Sequence, residues 1–336
     1  MAGIGILGAG TWGIALARML SNSGHDVTVW SALPEEIREL SSTRRQKNLP
    51  GMVIPDAVRF TEEIGEAVGA ADDVLLFAVP SVFVRQTARQ AAPYIPDGKI
   101  IADVAKGIES ETLMTLTEVI ADEVKRDGKH DSVSLVALSG PTHAEEVARD
   151  LPTTIVSASQ DSAAAEKVQE IFMNTCMRVY TNPDAKGVEL CGALKNIIAL
   201  ASGILTGTGY GDNARAALMT RGMAEITRLG MKMGCNERTF PGLAGIGDLI
   251  VTATSVHSRN NRAGRLIGEG KTVDEAVKEV GMVVEGLNAL PAAMRLSEQY
   301  GVELPIVQEI DRVVRGEVTP KEAVMNLMTR DPKPEV

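Results

Sequence analysis

The first half of the chain alternates between short, almost continuously apolar runs and longer segments with helical spacing. Continuous apolar runs are typical of parallel strands that are buried on both faces, with helices covering the sheet. Ligands of such a sheet bind beyond the carboxyl ends of its strands. The pattern therefore predicts an α/β, Rossmann-type domain with a mainly parallel sheet, whose strands lie within residues 3–7, 26–30, 73–81, 99–107, 134–142, 153–157 and 177–180.

The character of the chain changes after residues 182–184, where strand-like runs mostly stop and helical periods with glycine-rich turns take over. A chain of 336 residues also exceeds what one hydrophobic core usually holds. We therefore place a domain boundary near residues 184–187. The pattern predicts a Rossmann-type dinucleotide-binding domain over residues 1–186 and a mainly α-helical substrate and catalytic domain over residues 187–336.

A glycine-rich turn follows the first predicted strand and opens a helix, in the order Gly8-Ala9-Gly10-Thr11-Trp12-Gly13. In this G-x-G-x-x-G pattern, Gly8 permits the tight turn, Gly10 lets the backbone approach a pyrophosphate, and Gly13 brings the helix against the strand. The amino end of the helix offers free N–H groups to the phosphates. Because a second strand completes a βαβ unit, the pattern favours a dinucleotide site over a simple glycine turn.

Polar residues stand at the ends of two later strands, where the sheet is expected to bind ligands. Lys106 follows one strand, and Gly140, Pro141 and Thr142 follow the next. Thr142 and Glu145 also have the spacing of a capping box, which predicts that Thr142 caps a helix. That structural role and a ligand contact are compatible.

The end of the second strand usually carries an acid that binds the ribose of NAD or a base that binds the 2′-phosphate of NADP. This chain has Trp30-Ser31-Ala32 there, which is neither. Arg44, Arg45 and Lys47 in the following loop could reach a 2′-phosphate, or they could simply be solvated. The preference for one nucleotide over the other stays open.

Composition narrows the classes of partner. The net charge of −10 argues against nucleic acid or an anionic membrane, so a phosphate ligand needs a local basic cluster. Three cysteines without C-x-x-C spacing and four scattered histidines indicate neither a disulfide framework nor a metal site. Because the chain shows no leader pattern and no apolar run of ~18 residues, we expect a cytoplasmic protein without membrane insertion.

The helix predicted over residues 187–205 is apolar on nearly every side and is therefore expected to be buried. Lys195 lies inside it and must pair with an anion, lose its proton or reach outward to solvent, because an isolated buried ammonium is unfavourable. The outward-reaching alternative stays open. A buried lysine beside an amide, here Asn196, is suited to proton transfer to a carbonyl oxygen.

Two further clusters lie in the second half. Asp248 stands in a segment of small and apolar residues, where a carboxylate needs a cation. Ser258, Arg259 and Asn260, followed by Arg262, combine a hydroxyl, guanidinium groups and an amide, the mixture that phosphate recognition uses. This is the local basic cluster that an acidic chain requires, although taken alone it could be an exposed basic turn.

With these residues in view, the chain resembles the bacterial-type NAD(P)-dependent sn-glycerol-3-phosphate dehydrogenases over nearly its whole length. The resemblance implies an oxidoreductase that reduces dihydroxyacetone phosphate with NAD(P)H and supplies sn-glycerol 3-phosphate for phospholipid biosynthesis, usually as a homodimer. It is carried by the glycine-rich turn and by Ala78-Val79-Pro80-Ser81, Lys106-Gly107, Ser139-Gly140-Pro141-Thr142, Leu194-Lys195-Asn196, Gly245-Ile246-Gly247-Asp248-Leu249, Ser258-Arg259-Asn260 and Val284-Glu285-Gly286.

The resemblance also implies roles for single residues. Lys195 would be the proton donor and acceptor with Asp248 as its partner, and no metal is implied. The other catalytic residues would be Lys106, Asn196 and Thr252, which position the substrate oxygens. The implied cofactor-binding residues are Gly8, Gly10, Thr11, Trp12, Gly13, Lys106, Ala144, Arg259, Val283 and Glu285. The implied substrate-binding residues are Lys106, Gly140, Thr142, Lys195, Asp248, Ser258, Arg259 and Asn260, with Arg259 and Asn260 on the phosphate.

Two positions depart from the family pattern. Ala32 stands where many members carry a basic residue, which puts NADP preference in doubt, and His143 stands where phenylalanine is usual. Two other functions compete with this interpretation: a two-domain hydroxy-acid dehydrogenase of 6-phosphogluconate or ketopantoate type, and a non-catalytic dinucleotide-sensing protein. Lys195 and Asp248 disfavour the sensor, which would need neither of them.

Overall fold

The computed structural model describes residues 1–126, 128, 132–332 and 334–335. The chain divides into two compact units, Met1–Glu189 and Leu190–Val336. This division and the predicted boundary both fall within one long helix, Ala185–Gly207.

Within the described residues, the first unit contains an eight-stranded sheet in the order β3-β2-β1-β4-β5-β6-β7-β8. Neighbouring strands run parallel, except that β6 and β7 are antiparallel. The predicted α/β fold class with a mainly parallel sheet is confirmed. The strands are β1 (Gly3–Leu7), β2 (Asp26–Trp30), β3 (Arg59–Thr61), β4 (Val74–Phe77), β5 (Ile100–Asp103), β6 (Ser134–Ser139), β7 (Thr153–Ala158) and β8 (Met177–Asn182). The sequence pattern missed β3, because three residues are too few to show a period.

Helices cover both faces of the sheet. Successive side chains of a strand point to opposite faces, so each strand contributes to two core clusters. Ile6 belongs to one core cluster together with Ile14 of the first helix, whereas Leu7 belongs to the other together with Ile120. The helices of this unit are α1 (Thr11–Asn22), α2 (Pro34–Thr43), α3 (Ile64–Gly69), α4 (Val84–Ala91), α5 (Leu116–Arg126), α6 (Ala144–Val147) and α7 (Ser162–Phe172).

The strand register places several predicted ligand-binding turns at one edge of the sheet. Leu7 at the end of β1 is paired with Trp30 of β2 and with Phe77 of β4. Phe77 is paired in turn with Asp103, the last residue of β5. The carboxyl ends of these parallel strands are therefore level, and the turns that follow them begin at the same edge.

The second unit is mainly helical, as predicted. It contains most of α8 (Ala185–Gly207), then α9 (Asp212–Lys232), α10 (Asp248–Thr254), α11 (Arg259–Gly268), α12 (Val273–Val280), α13 (Glu285–Tyr300), α14 (Pro305–Val314) and α15 (Pro320–Met328). Helices α8 and α11 touch through their backbones. A Cβ atom at Gly264 would overlap the carbonyl oxygen of Leu200, and one at Gly203 would overlap that of Asn261.

Helix α8 is long, apolar and buried. Among the described residues it is the one helix long and apolar enough to cross a membrane, and its whole apolar window is buried within the protein, which is the pattern of a core helix. The predicted helix over residues 187–205 is thus present, extended at both ends.

Candidate active site

The glycine-rich turn after β1 has the geometry that a pyrophosphate requires. Gly8 has a φ of +125°, and a Cβ atom there would lie 2.6 Å from the backbone of Ala78. A Cβ atom at Gly13 would overlap the carbonyl oxygen of Gly8, whereas one at Gly10 would meet no atom of the described residues within 4 Å. Gly10 is the N-cap of α1, and among the described residues no side chain caps that helix. The space in front of α1 is therefore open on the side that a dinucleotide would approach, and these residues fit the cofactor.

Two hydrogen bonds tie neighbouring segments to this turn. The Gly8 N–H donates to the carbonyl oxygen of Trp30 at 2.8 Å, at the end of β2. The Asn48 side chain donates to the Thr11 hydroxyl at 3.2 Å. Sequence reasoning missed Asn48, because a single asparagine in a basic loop carries no distinctive pattern. The loop around Asn48 therefore lies beside the first turn of α1.

Lys106, Gly140 and Thr142 come together beyond the ends of β5 and β6. The Lys106 ammonium donates to the Gly140 carbonyl oxygen at 3.0 Å, and the Thr142 hydroxyl donates to the same oxygen at 3.1 Å. The predicted capping role of Thr142 is wrong. Helix α6 begins at Ala144 with His143 as its N-cap, so it starts one residue too late for Thr142 to be the cap, and no side chain within the described part of the protein caps it.

Lys195 and Asp248 form a buried ion pair in the second unit. Lys195 is only 3% exposed, and its Nζ donates to Asp248 Oδ1 at 2.5 Å and to Thr252 Oγ1 at 2.6 Å. The Thr252 hydroxyl donates in turn to the Asp248 carbonyl oxygen at 2.6 Å. Lys195 therefore does not reach outward to solvent, and the outward-reaching alternative is wrong.

Small residues explain how the carboxylate of Asp248 comes to be buried. The preceding segment, Leu243–Gly247, forms a π-helical turn. Within it a Cβ atom at Gly245 would overlap the backbone of Phe240, so the two segments touch directly. Asp248 is then the first residue of α10, where the positive end of the helix dipole favours an anion.

Asn196 and Asn260 link three helices. The Asn260 amide nitrogen donates to Asn196 Oδ1 at 3.0 Å, and Asn260 Oδ1 accepts from the Gly286 N–H at 2.8 Å. The Asn196 amide donates to the Gly192 carbonyl oxygen at 3.1 Å. The Asn260 side chain, which the resemblance places on the substrate phosphate, is thus 7% exposed and bonded within the protein. Its predicted phosphate contact stays a prediction.

Ser258 and Arg259 lie at the amino end of α11. Ser258 is the N-cap, and its hydroxyl accepts from the Asn261 N–H at 3.2 Å, whereas Arg259 is exposed. A helix amino end beside a guanidinium is suited to an anion. Glu285 is the first residue of α13. The bond from Asn260 to Gly286 therefore joins the starts of α11 and α13.

The remaining predicted site residues are placed as follows. Trp12, the second residue of α1, is partly buried and packs against the core; Ala144 is the first residue of α6, and Val283 lies just before the Val284 N-cap of α13. Within the part of the chain that the structure describes, no three His, Cys, Asp or Glu side chains are grouped so that they could hold a metal ion.

Two buried glutamates were missed as candidates. Glu189 on α8 is 6% exposed and accepts from the Thr117 N–H at 2.9 Å and from the Thr117 hydroxyl at 2.5 Å. Glu225 on α9 accepts from the Ile306 N–H at 2.9 Å, at the start of α14. Burial raises the pKa of Glu189 to about 7 and that of Glu225 to about 7. Each carboxylate anchors the first turn of a neighbouring helix.

Comparisons with known proteins cover nearly the whole chain. The model for the NAD-dependent glycerol-3-phosphate dehydrogenase N-terminus matches residues 3–165, and the model for the C-terminus of the same family matches residues 184–325.

Among individual proteins, glycerol-3-phosphate dehydrogenase [NAD(P)+] 2 of Lactobacillus delbrueckii subsp. bulgaricus is 69% identical over 336 residues, which is 100% of this chain and 99% of the relative. Glycerol-3-phosphate dehydrogenase [NAD(P)+] of Agathobacter rectalis is 50% identical, over 99% of this chain and 97% of the relative. The crystal structure of glycerol-3-phosphate dehydrogenase from Coxiella burnetii is similar with a TM-score of 0.91 and 35% identity, covering 98% of this chain and 99% of that one.

Proposed function

Because the chain belongs to the NAD-dependent glycerol-3-phosphate dehydrogenase family, it interconverts dihydroxyacetone phosphate and sn-glycerol 3-phosphate with NAD(P)H, and we propose that Lys195 moves the proton of this reaction. The observation that carries the proposal is the burial of Lys195 against Asp248 and Thr252. The bound dinucleotide supplies or accepts the hydride, while the protein supplies binding, orientation and the proton.

Lys195 has the chemistry that the ketone oxygen requires. Reduction leaves negative charge on that oxygen, and a positioned ammonium stabilises the charge and donates a proton to it. In the opposite direction the neutral amine accepts the proton of the alcohol. Asp248 balances the ammonium charge, which could not otherwise be buried, and Thr252 fixes the direction of the side chain.

We place the substrate phosphate at the amino end of α11. Support comes from the exposed guanidinium of Arg259 beside the N-cap Ser258, since an ionised donor and free helix N–H groups both favour a dianion. Asn260 would contribute through its main-chain N–H, because its side chain is bonded to Asn196 and Gly286. Asn196, fixed by the same network, would position a substrate oxygen.

We propose that the dinucleotide binds the first unit. The proposed contacts there are Gly8, Gly10, Thr11, Trp12, Gly13, Lys106 and Ala144. The family resemblance implies Arg259, Val283 and Glu285 as further cofactor-binding residues. Lys106, Gly140 and Thr142 would also face the substrate. The support is the open space at Gly10 and the hydrogen bonds by which Lys106 and Thr142 donate to the Gly140 carbonyl oxygen.

We further propose that residues 1–186 bind the dinucleotide and residues 187–336 the substrate. The protein would act in the cytoplasm as a homodimer, without membrane insertion, and its product would supply phospholipid synthesis. These proposals rest on the family resemblance and, for the domains, on the separate N- and C-terminal matches. Sedimentation of the purified protein tests the dimer.

The decisive experiment follows nicotinamide absorbance with dihydroxyacetone phosphate, using the wild type and Lys195→Ala. We expect turnover to fall by about 10²- to 10⁴-fold, while the variant stays folded and still binds NADH. Lys321→Ala removes an exposed lysine of α15 that has no proposed role in the site, so it is the matched control and should stay close to wild type.

Near wild-type kcat in Lys195→Ala would contradict the proposal and direct the search to Lys106. Ketopantoate and 6-phosphogluconate, offered with the same nucleotides, test the hydroxy-acid alternative. Turnover with either of them, but not with dihydroxyacetone phosphate, would replace the substrate assignment.

A further inference from the structure

An acid is held at the carboxyl end of β2. Ser31 is buried, and its hydroxyl donates to Glu36 Oε2 at 2.6 Å and accepts from the Leu33 N–H at 3.2 Å. Glu36 lies in the first turn of α2, so this acid comes from the helix that follows β2 and not from the strand itself. In Rossmann-type sheets an acid at this place accepts hydrogen bonds from the ribose of NAD, whereas a base there accommodates the 2′-phosphate of NADP.

Two of the nearby basic side chains are already used by the protein. The Arg44 guanidinium donates to the Val58 carbonyl oxygen at 2.7 Å and lies 5.2 Å from the centre of the Phe60 ring. The Arg38 guanidinium donates to Glu62 at 3.2 Å. The sequence suggested Arg44, Arg45 and Lys47 for a 2′-phosphate. Because Arg44 is bonded within the protein, only Arg45 and Lys47 remain as candidates.

A cavity of about 480 Å³ lies beside Glu36. It is lined by the start of α2 and by Arg45, Gln46 and Lys47. The loop that forms this wall continues to Asn48, which is bonded to Thr11 in the glycine-rich turn. The end of β2 is bonded to the same turn through Gly8. The wall of the cavity is therefore continuous along the chain with Asn48, which contacts the turn that would hold the pyrophosphate.

We propose that Glu36, oriented by Ser31, makes this enzyme select NADH over NADPH. The carboxylate accepts hydrogen bonds from the ribose hydroxyls and repels a 2′-phosphate. The inference rests on the proposed dinucleotide site at the glycine-rich turn. Arg45 and Lys47 are the opposing groups, but both are exposed, whereas the carboxylate is held by a buried hydroxyl. The fixed acid therefore decides the preference.

The test is fluorescence titration of the substrate-free protein with NADH and with NADPH. We expect the wild type to bind NADH at least about tenfold more tightly, since a hydrogen bond to a charged group is worth about that factor or more. Glu36→Gln should weaken NADH binding and bring the two affinities close together. Ser31→Ala, which keeps the charge but releases the carboxylate, should reduce the ratio in the same direction.

Glu63→Gln is the matched control, since it removes the same charge from an exposed residue outside the lining of the cavity, and it should leave the ratio unchanged. Thermal melts confirm that each variant is folded. The double variant Arg45→Ala with Lys47→Ala should alter NADPH binding little.

Three results would overturn the inference: equal or tighter binding of NADPH by the wild type, an unchanged ratio in Glu36→Gln, or a selective loss of NADPH binding in the Arg45 and Lys47 double variant. Failure of the dinucleotide site itself is distinguished by Gly10→Val. If that variant binds NADH as the wild type does, the site lies elsewhere and the inference falls with it.

Discussion

Replacing Glu189 by glutamine should make the protein more stable at pH 8 than the wild type, but not at pH 5. Burial raises the pKa of Glu189 to about 7 from an ordinary 4.5, against the opposing effect of its bonds from Thr117. The folded protein therefore holds this proton more tightly than the unfolded chain does. The resulting stabilisation is complete below pH 4.5 and is lost as the pH rises through about 7.

The magnitude follows from that difference in pKa. At about 1.36 kcal/mol per pKa unit, the change from 4.5 to about 7 corresponds to about 3 kcal/mol, as an upper bound. Glutamine carries no titrating proton, and its amide oxygen can still accept from the Thr117 N–H while its amide nitrogen donates to the Thr117 hydroxyl. The variant should therefore gain up to about 3 kcal/mol relative to the wild type between pH 5 and pH 8.

The assay is urea unfolding of both proteins across this pH range, comparing midpoints and slopes. Glu166→Gln removes a charge at an exposed position of α7 and should leave the pH dependence as in the wild type. Parallel curves for the wild type and Glu189→Gln would refute the reasoning, because they would mean that the buried carboxylate titrates alike in the folded and unfolded states.

Three further changes probe the site and its scaffold. Gly10→Val should weaken NADH binding by about tenfold or more with little loss of stability, since a Cβ atom there meets no atom of the described residues within 4 Å but fills the space in front of α1. Calorimetric titration measures the affinity, and an unchanged value would contradict the cofactor assignment. Arg259→Lys should raise the KM for dihydroxyacetone phosphate by about tenfold while the melting temperature stays constant, because the planar fork is lost; a constant KM would place the phosphate elsewhere. Gly264→Ala should destabilise the protein by about 1–3 kcal/mol in a thermal melt, since its Cβ would overlap the Leu200 carbonyl oxygen; an unchanged melt would mean that α8 and α11 separate easily.

Local periodicity was enough to predict the elements that are long or strongly patterned. The sheet could be predicted because buried parallel strands are continuously apolar, and α8 could be predicted because a helix that is apolar on nearly every side must be buried. The same logic indicated that Lys195 and Asp248 each need an opposite charge, whereas their pairing with each other was implied by the family resemblance.

Side-chain partners distant in the sequence could not be predicted in this way. Asn196 and Asn260 are 64 positions apart, and nothing in either local pattern indicates the other. The bond between Ser31 and Glu36 depends on the turn between β2 and α2, which no period describes. Thr142 has the spacing of a cap, but the backbone of Gly140 competes for its hydroxyl.

The bond between Asn260 and the Gly286 N–H changes how loss-of-activity data at Asn260 should be interpreted. A substitution there would release the start of α13 and the Asn196 amide together, so activity would fall whether or not Asn260 ever touches a ligand. An alanine scan would therefore overstate the number of residues in direct contact with the phosphate. Titrating inorganic phosphate as a competitor against the wild type and each variant separates the residues that bind the anion from those that hold the scaffold around it.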